Sequence, residues 1–217
     1  MKTLKMKVKP AIKGLYAVTP DLDDTDELLR NVRLALQGGA RVLQYRNKSA
    51  DAKLRSQQAR ALRALARKFD TTFIVNDDAP LAAEVDADGV HLGGDDGSVA
   101  TARTLLGAKK IIGVSCYNRM PLAQEAVKQG ADYVAFGAFF PSSVKPQAVR
   151  ADLPLLQAAR GELHVPIVAI GGITLQNGTA LIEAGADALA VISALWNAAD
   201  IETSALGFST LFGRKQQ

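Results

Sequence analysis

The sequence predicts a single-domain α/β protein of the (β/α)8 TIM-barrel class, on three observations. Short apolar, β-prone runs alternate with longer amphipathic stretches from Gly14 to the end of the chain. Eight such units fit within about 200 residues, the compact form of that barrel. Three helix-to-strand turns repeat one pattern: Gln37-Gly38-Gly39-Ala40, Gln129-Gly130-Ala131-Asp132 and Ala184-Gly185-Ala186-Asp187. In each, glycine suits a left-handed helix C-terminus, and a strand restarts two or three residues later. A doubly wound open sheet is the competing class, but no G-x-G-x-x-G follows the first strand.

The elements follow in order. Leu15-Tyr16-Ala17-Val18 is the first strand, and residues 24–37, with a Leu28, Val32 and Leu36 stripe, form the first helix. Val42-Leu43-Gln44-Tyr45 is the second strand, and Ser49 is expected to cap a long basic helix over 51–69. Strands are expected at 72–75, 89–92, 110–114, 133–136, 167–170 and 188–191. Between them lie helices over 80–85, 99–106 (capped by Ser98 and ended by Gly107), 121–129, 153–160 and 175–184, and a terminal helical segment closes the chain. The loop over 137–151 is the widest interruption of the pattern. Residues 1–13 read as a basic extension, 14–212 as the barrel and 213–217 as a tail.

Composition narrows the function classes. The net charge of +4 suggests a polyanion partner, yet the first 13 residues hold five lysines and no acid. Taking those five from the 26 basic residues leaves 21 against 22 acidic ones, so no general basic field remains and nucleic acid is not the expected partner. No run of about 18 apolar residues is present, so no membrane span is expected, and the lysine-rich start lacks the apolar core of a secretory signal. A cytoplasmic protein is expected, with a homo-oligomer left open. Cys116 is the one cysteine, and with only His91 and His164 there is no zinc-type ligand set. The absence of G-x-S-x-G argues against a serine hydrolase.

In a barrel, chemistry collects just after each strand. After the second strand, alternation turns Gln44, Arg46 and Lys48 to one side, as a phosphate clamp or a solvated run. Asn76 and Asp77 follow the third strand, and Asp95 and Asp96 the fourth, on neighbouring strand ends. An oxygen-only pair of this kind suits Mg2+ with a phosphorylated ligand; ordinary strand-end turns are the alternative. Ser115, after the fifth strand, can donate to a ligand oxygen, and Cys116 reads as a packed residue. Ser142, Ser143 and Lys145 follow the sixth strand and also suit phosphate. Gly171-Gly172 after the seventh strand, with Ile192-Ser193 after the eighth, offer open backbone N–H groups where barrels commonly hold a monophosphate. His91 reads as a hydrogen-bonded core histidine, His164 lies away from the active face, and Trp196 reads as packing.

Taken together these motifs resemble the thiamine phosphate synthase family over nearly the whole chain. Its carriers are Gln44-x-Arg46-x-Lys48, Asn76-Asp77, Gly89-Val90-His91-Leu92-Gly93 with Asp96, Gly113-Val114-Ser115, Lys145 and Ala169-Ile170-Gly171-Gly172-Ile173. The resemblance implies a barrel enzyme that joins 4-amino-2-methyl-5-hydroxymethylpyrimidine diphosphate to 4-methyl-5-(2-hydroxyethyl)thiazole phosphate, giving thiamine phosphate and pyrophosphate. It implies that Gln44 to Lys48 and Asn76 hold the pyrimidine diphosphate and that Asp77 and Asp96 bind Mg2+. Ser115 and Lys145 would contact the pyrimidine substrate or its leaving pyrophosphate, and Gly172, Ile192 and Ser193 would cradle the thiazole phosphate. Two departures stand out: Gly94 replaces a Gln, and Ser142-Ser143-Val144-Lys145 replaces Thr-x-Thr-Lys, with Val144 unable to hydrogen-bond. A tautomerase-like isomerase and a non-catalytic phosphate binder are the alternatives; the isomerase relative lacks the metal carboxylates.

Overall fold

A computed structural model describes residues 11–93, 97–141 and 149–213. Strands β1 (Gly14–Val18), β2 (Val42–Tyr45), β3 (Thr72–Asn76), β4 (Gly89–Leu92), β5 (Ile111–Tyr117), β6 (Tyr133–Phe136), β7 (Ile167–Ile170) and β8 (Ala188–Val191) close into one barrel. All neighbours pair in parallel, and β1 meets β8 to complete the ring. Helices α1 (Thr25–Gln37), α2 (Ala52–Lys68), α3 (Ala79–Glu84), α4 (Val99–Leu106), α5 (Met120–Lys128), α6 (Leu153–Glu162) and α7 (Gly178–Glu183) link successive strands. The short α8 (Ser193–Trp196) and α9 (Ile201–Leu211) end the described chain.

Caps account for most helix starts. Asp24, Asp51, Asp78, Ser98, Asp152 and Asp200 each accept from a backbone N–H three residues on, satisfying a donor the helix leaves open. The expected Ser49 cap is corrected: Asp51 caps α2, while Ser49 donates to Asn47 Oδ1 at 2.9 Å. The repeated glycine turns adopt the expected left-handed geometry, with φ +95° at Gly39, +93° at Gly130 and +115° at Gly185. Strand β5 runs to Tyr117, beyond the expected end at Val114, because its pairing with β6 continues past Ser115 through a register shift.

Two apolar layers result from strand alternation. Leu15, Leu43, Phe73, Val90, Val134 and Leu189 face the helices in the outer core, while Tyr16, Val42, Ile74, Ile111, Tyr133 and Val168 fill the barrel interior. Ile12, in the basic extension, is buried in this inner cluster. The face at the strand N-termini is pinned by a repeated device. Asp88, Asp132 and Asp187 each accept a backbone N–H from the preceding strand, of Phe73, Ile112 and Ile167, and each pairs with an arginine: Arg63, Arg103 and Arg160. That leaves the opposite face, at the strand C-termini, for function.

Candidate active site

Inward-facing residues at the C-terminal ends of the strands enclose a cavity of about 390 Å³. Tyr16, Tyr133 and His91 lie deepest, Ala135, Val168 and Ala190 give small apolar walls, and Gln44, Arg46, Asn76 and Ser115 supply polar groups. A second cavity of about 320 Å³ adjoins it, sharing Ile170, Gly171, Ala190 and Ile192 and bounded by Pro141, Gly172 and Ser193.

The cationic rim is positioned from beneath. Thr19, fully buried, donates to Arg46 O and accepts from Arg46 N, both at 2.8 Å. Asp21 accepts from the Arg46 guanidinium and from Lys48 N, each at 2.8 Å. Asn47, between the two cations, is buried and binds Leu22 O and Gln58 Oε1, bracing the loop against α2. Lys48 Nζ then reaches Asp77 Oδ2 at 3.1 Å, joining the β2 and β3 loops. Asp77 has φ +62°, a conformation that aspartate tolerates better than most residues, and its N–H donates to His91 O. Arg46, Lys48, Asn76 and Asp77 line one small recess of about 70 Å³.

The floor is a chain of side-chain hydrogen bonds. Gln44 Nε2 donates to Tyr16 OH at 2.8 Å, Tyr16 OH meets Tyr133 OH at 2.8 Å, Tyr133 OH meets His91 Nδ1 at 2.9 Å, and His91 Nε2 meets Ser115 Oγ at 2.8 Å. Gly113, paired with Tyr133 across β5 and β6, makes room: a Cβ there would fall within the tyrosine ring. Burial pushes the Tyr16 and Tyr133 phenols well above their ordinary range, so both stay protonated. Burial likewise lowers His91 to about 4, against a smaller upward pull from Asp77, so the ring is neutral at physiological pH. The expected core histidine is thus buried and hydrogen-bonded, and it also lines the cavity.

On the far side, the β7–α7 loop turns through Gly171 at φ +102° and Gly172 at φ +63°. A Cβ on Gly171 would run into Ala138, and one on Gly172 into the backbone of Phe140 and Pro141, so both positions need glycine. Asn177 holds the turn, donating to Gly172 O and accepting from Thr174 N. Helix α8 opens at Ser193 without a side-chain cap, leaving its first N–H groups at the second cavity.

Gln44, Arg46, Asn76, Ser115, Gly171 and Ile192 therefore meet around one cavity, Gly172 and Ser193 around the adjoining one, and Lys48 and Asp77 at the rim. Asp96, Ser142, Ser143 and Lys145, together with Gly94 and Val144, lie outside the described residues. Sequence reasoning passed over Tyr16, Tyr133 and Asn177; the signal for the tyrosines was their alternation parity, which puts them on the same strand face as Gln44 and Ser115. Cys116 is buried, with its thiol raised to about 12 by desolvation, as a packed residue should be. His164 is exposed, away from the cavities.

A family model described as thiamine monophosphate synthase matches residues 15–195. The chain is similar to the thiamine-phosphate synthase of Methylobacillus flagellatus, 60% identical over 203 residues that span 94% of this chain and 97% of that protein. The thiamine-phosphate synthase of Azoarcus sp. is 56% identical over 201 residues, 93% of this chain and 98% of that one. Among solved structures, thiamine phosphate pyrophosphorylase from Pyrococcus furiosus superposes with a TM-score of 0.83 at 34% identity, covering 92% of this chain and 95% of its own.

Proposed function

The chain belongs to the thiamine monophosphate synthase family, and we infer that it is the transferase of thiamine biosynthesis that joins 4-amino-2-methyl-5-hydroxymethylpyrimidine diphosphate to 4-methyl-5-(2-hydroxyethyl)thiazole phosphate. The products are thiamine phosphate and pyrophosphate. The observation that carries this reading is the pair of adjoining cavities, one with a cationic rim and the other walled by glycine backbone. Such a pair accommodates two phosphorylated substrates with their reacting ends at the shared wall of Ile170, Gly171, Ala190 and Ile192.

On this reading Gln44, Asn76 and Ser115 hold the pyrimidine diphosphate, and Arg46, Lys48 and Lys145 offset the charge of its leaving pyrophosphate. Gly171, Gly172, Ile192 and Ser193, with Ser142 and Ser143, hold the thiazole phosphate. The C–O bond between the pyrimidine methylene and the diphosphate breaks, and the thiazole nitrogen forms the new C–N bond. The electron-rich aminopyrimidine stabilises positive charge at that methylene, which favours a dissociative path. No strong base or nucleophile is needed, and the chain's contribution is charge neutralisation and alignment. Removal of one such electrostatic contact costs about 10²–10³ in rate.

The donors at the rim fit Mg2+. Asp77 offers hard carboxylate oxygens at the rim, held by Lys48, and Asp96 would be its companion. Among the described residues no group of three or more His, Cys, Asp or Glu side chains gathers to form a cage, and Mg2+ typically binds through one or two carboxylates plus substrate phosphates. When bound, the ion would neutralise charge on the diphosphate. Phosphorylated small-molecule substrates also favour a cytoplasmic location. No helix among the described residues is long and apolar enough to cross a membrane.

The test is pyrophosphate release, with mass detection of thiamine phosphate, from purified protein and both substrates in Mg2+ or in chelator. Product in Mg2+ and its loss in chelator are the expected result. Absence of product from folded protein that still binds the thiazole phosphate would overturn the transferase reading in favour of a phosphate-binding barrel.

A further inference from the structure

The five side chains along the cavity floor form one continuous path with both ends, Gln44 and Ser115, in the cavity. Their hydrogens are few enough to count. Each phenol owns one hydrogen, and a neutral imidazole owns one across its two nitrogens. With Gln44 Nε2 donating to Tyr16 and neither buried phenol hydrogen left without an acceptor, the Tyr16 hydrogen goes to Tyr133 and the Tyr133 hydrogen to His91 Nδ1. His91 must then carry its proton on Nε2 and donate to Ser115 Oγ, which leaves the serine hydrogen free. Turning the Gln44 amide over would reverse every bond together and commit the Ser115 hydrogen to His91. With Gln44 donating, any mixed arrangement that still fills each link turns the Tyr16 or Tyr133 hydrogen away from the path, stranding a buried donor at the cost of its desolvation.

We propose that Tyr16, Tyr133 and His91 are positioning residues, forming a hydrogen-bond relay of single polarity that presents Ser115 to the bound pyrimidine diphosphate as an obligate donor. An acceptor-rich diphosphate ligand favours the same polarity. Tyr16 and Tyr133 are only 1% and 0% exposed, which limits the access of water as an alternative partner for their hydroxyls. The proposal rests on the reading above that Ser115 contacts that substrate, and it adds what sets the direction of that contact.

Nitrogen-15 spectra of the full chain test the polarity directly, because the sequence has only two histidines and His164→Gln assigns the other. At pH 7.5, His91 is expected as one tautomer with its proton on Nε2. An Nδ1-protonated ring, or a fast-averaged mixture, overturns the proposal. Tyr133→Phe removes the donor to Nδ1 and should mix the tautomers, and Tyr16→Phe cuts the relay one link earlier if the first variant folds poorly. In kinetics, Tyr133→Phe should lower kcat/KM for the pyrimidine diphosphate by about 10²-fold, toward Ser115→Ala. The double variant should be no worse than Ser115→Ala alone, since both remove the same donor. Losses that multiply would mean that Tyr133 acts by packing and would refute the relay. If no variant nor the parent makes thiamine phosphate, the transferase reading fails, while the tautomer still decides the relay.

Discussion

Gly172→Ala is the sharpest perturbation of the second cavity, and its effect can be worked from two separate terms. The backbone there has φ +63°, which costs an L-residue about 1–2 kcal/mol. A Cβ would also lie 2.7 Å from the Phe140 carbonyl carbon and closer still to the Pro141 carbonyl oxygen. Those are backbone atoms and cannot rotate aside, so overpacking adds about 1–3 kcal/mol. Gly130→Ala separates the terms, because Gly130 has φ +93° but no heavy atom within 4 Å of its added Cβ. Urea unfolding should therefore show Gly172→Ala destabilised by about 2–5 kcal/mol and Gly130→Ala by only about 1–2 kcal/mol. Relief of the clash requires Phe140–Pro141 to retreat by several tenths of an ångström, displacing a wall of the cavity proposed to hold the thiazole phosphate. A misplacement of about 1 Å costs up to about 10²-fold. In steady-state assays with thiazole phosphate varied, Gly172→Ala should lose about 10- to 10²-fold in kcat/KM and Gly130→Ala nothing. Equal stability and equal kinetics for the two variants would refute the reasoning.

Three further outcomes are expected. Asp77→Asn should leave the fold intact, because its ion pair with Lys48 is largely solvent-exposed on the lysine side, while turnover falls by about 10²–10³ and needs more Mg2+; an unaltered Mg2+ titration curve would remove Asp77 from the metal site. Asp88→Ala should cost about 2–4 kcal/mol in chemical denaturation with kcat unchanged, since it strands the Arg63 charge and the Phe73 N–H on the barrel face remote from the cavities. In chelator, acid stability should report His91. Its folded pKa of about 4 lies below the ordinary 6.5, so the unfolded chain binds the extra proton. This part of the stability, about 3 kcal/mol, is complete above pH 6.5 and drains away as pH falls toward 4. His91→Gln should flatten that slope, and parallel acid profiles for the two proteins would contradict it.

Strand and helix identity was legible because each depends on near neighbours in the chain. The alternation of Gln44 and Arg46, the Leu28–Val32–Leu36 stripe and the Ser98 and Gly107 boundaries of α4 are local patterns, and the folded elements follow them. The α2 cap was misassigned because Ser49 and Asp51 are both good capping residues, and the choice fell to Asn47, which draws Ser49 into the braced loop. The extension of β5 was hidden because only its pairing with β6 sustains it.

By itself the sequence determined the eightfold alternation, the shared side of Gln44 and Arg46 and the ring of polar residues after the strands, since strand periodicity and turn chemistry are written within a few residues. Tertiary structure alone decided which of those residues meet. Tyr16 and Tyr133 are 117 positions apart, yet closure of the barrel brings their hydroxyls to 2.8 Å between Gln44 and His91. A hydrogen bond depends on distances of tenths of an ångström, and these are set by strand register, by barrel closure and by the space that Gly113 leaves beside Tyr133.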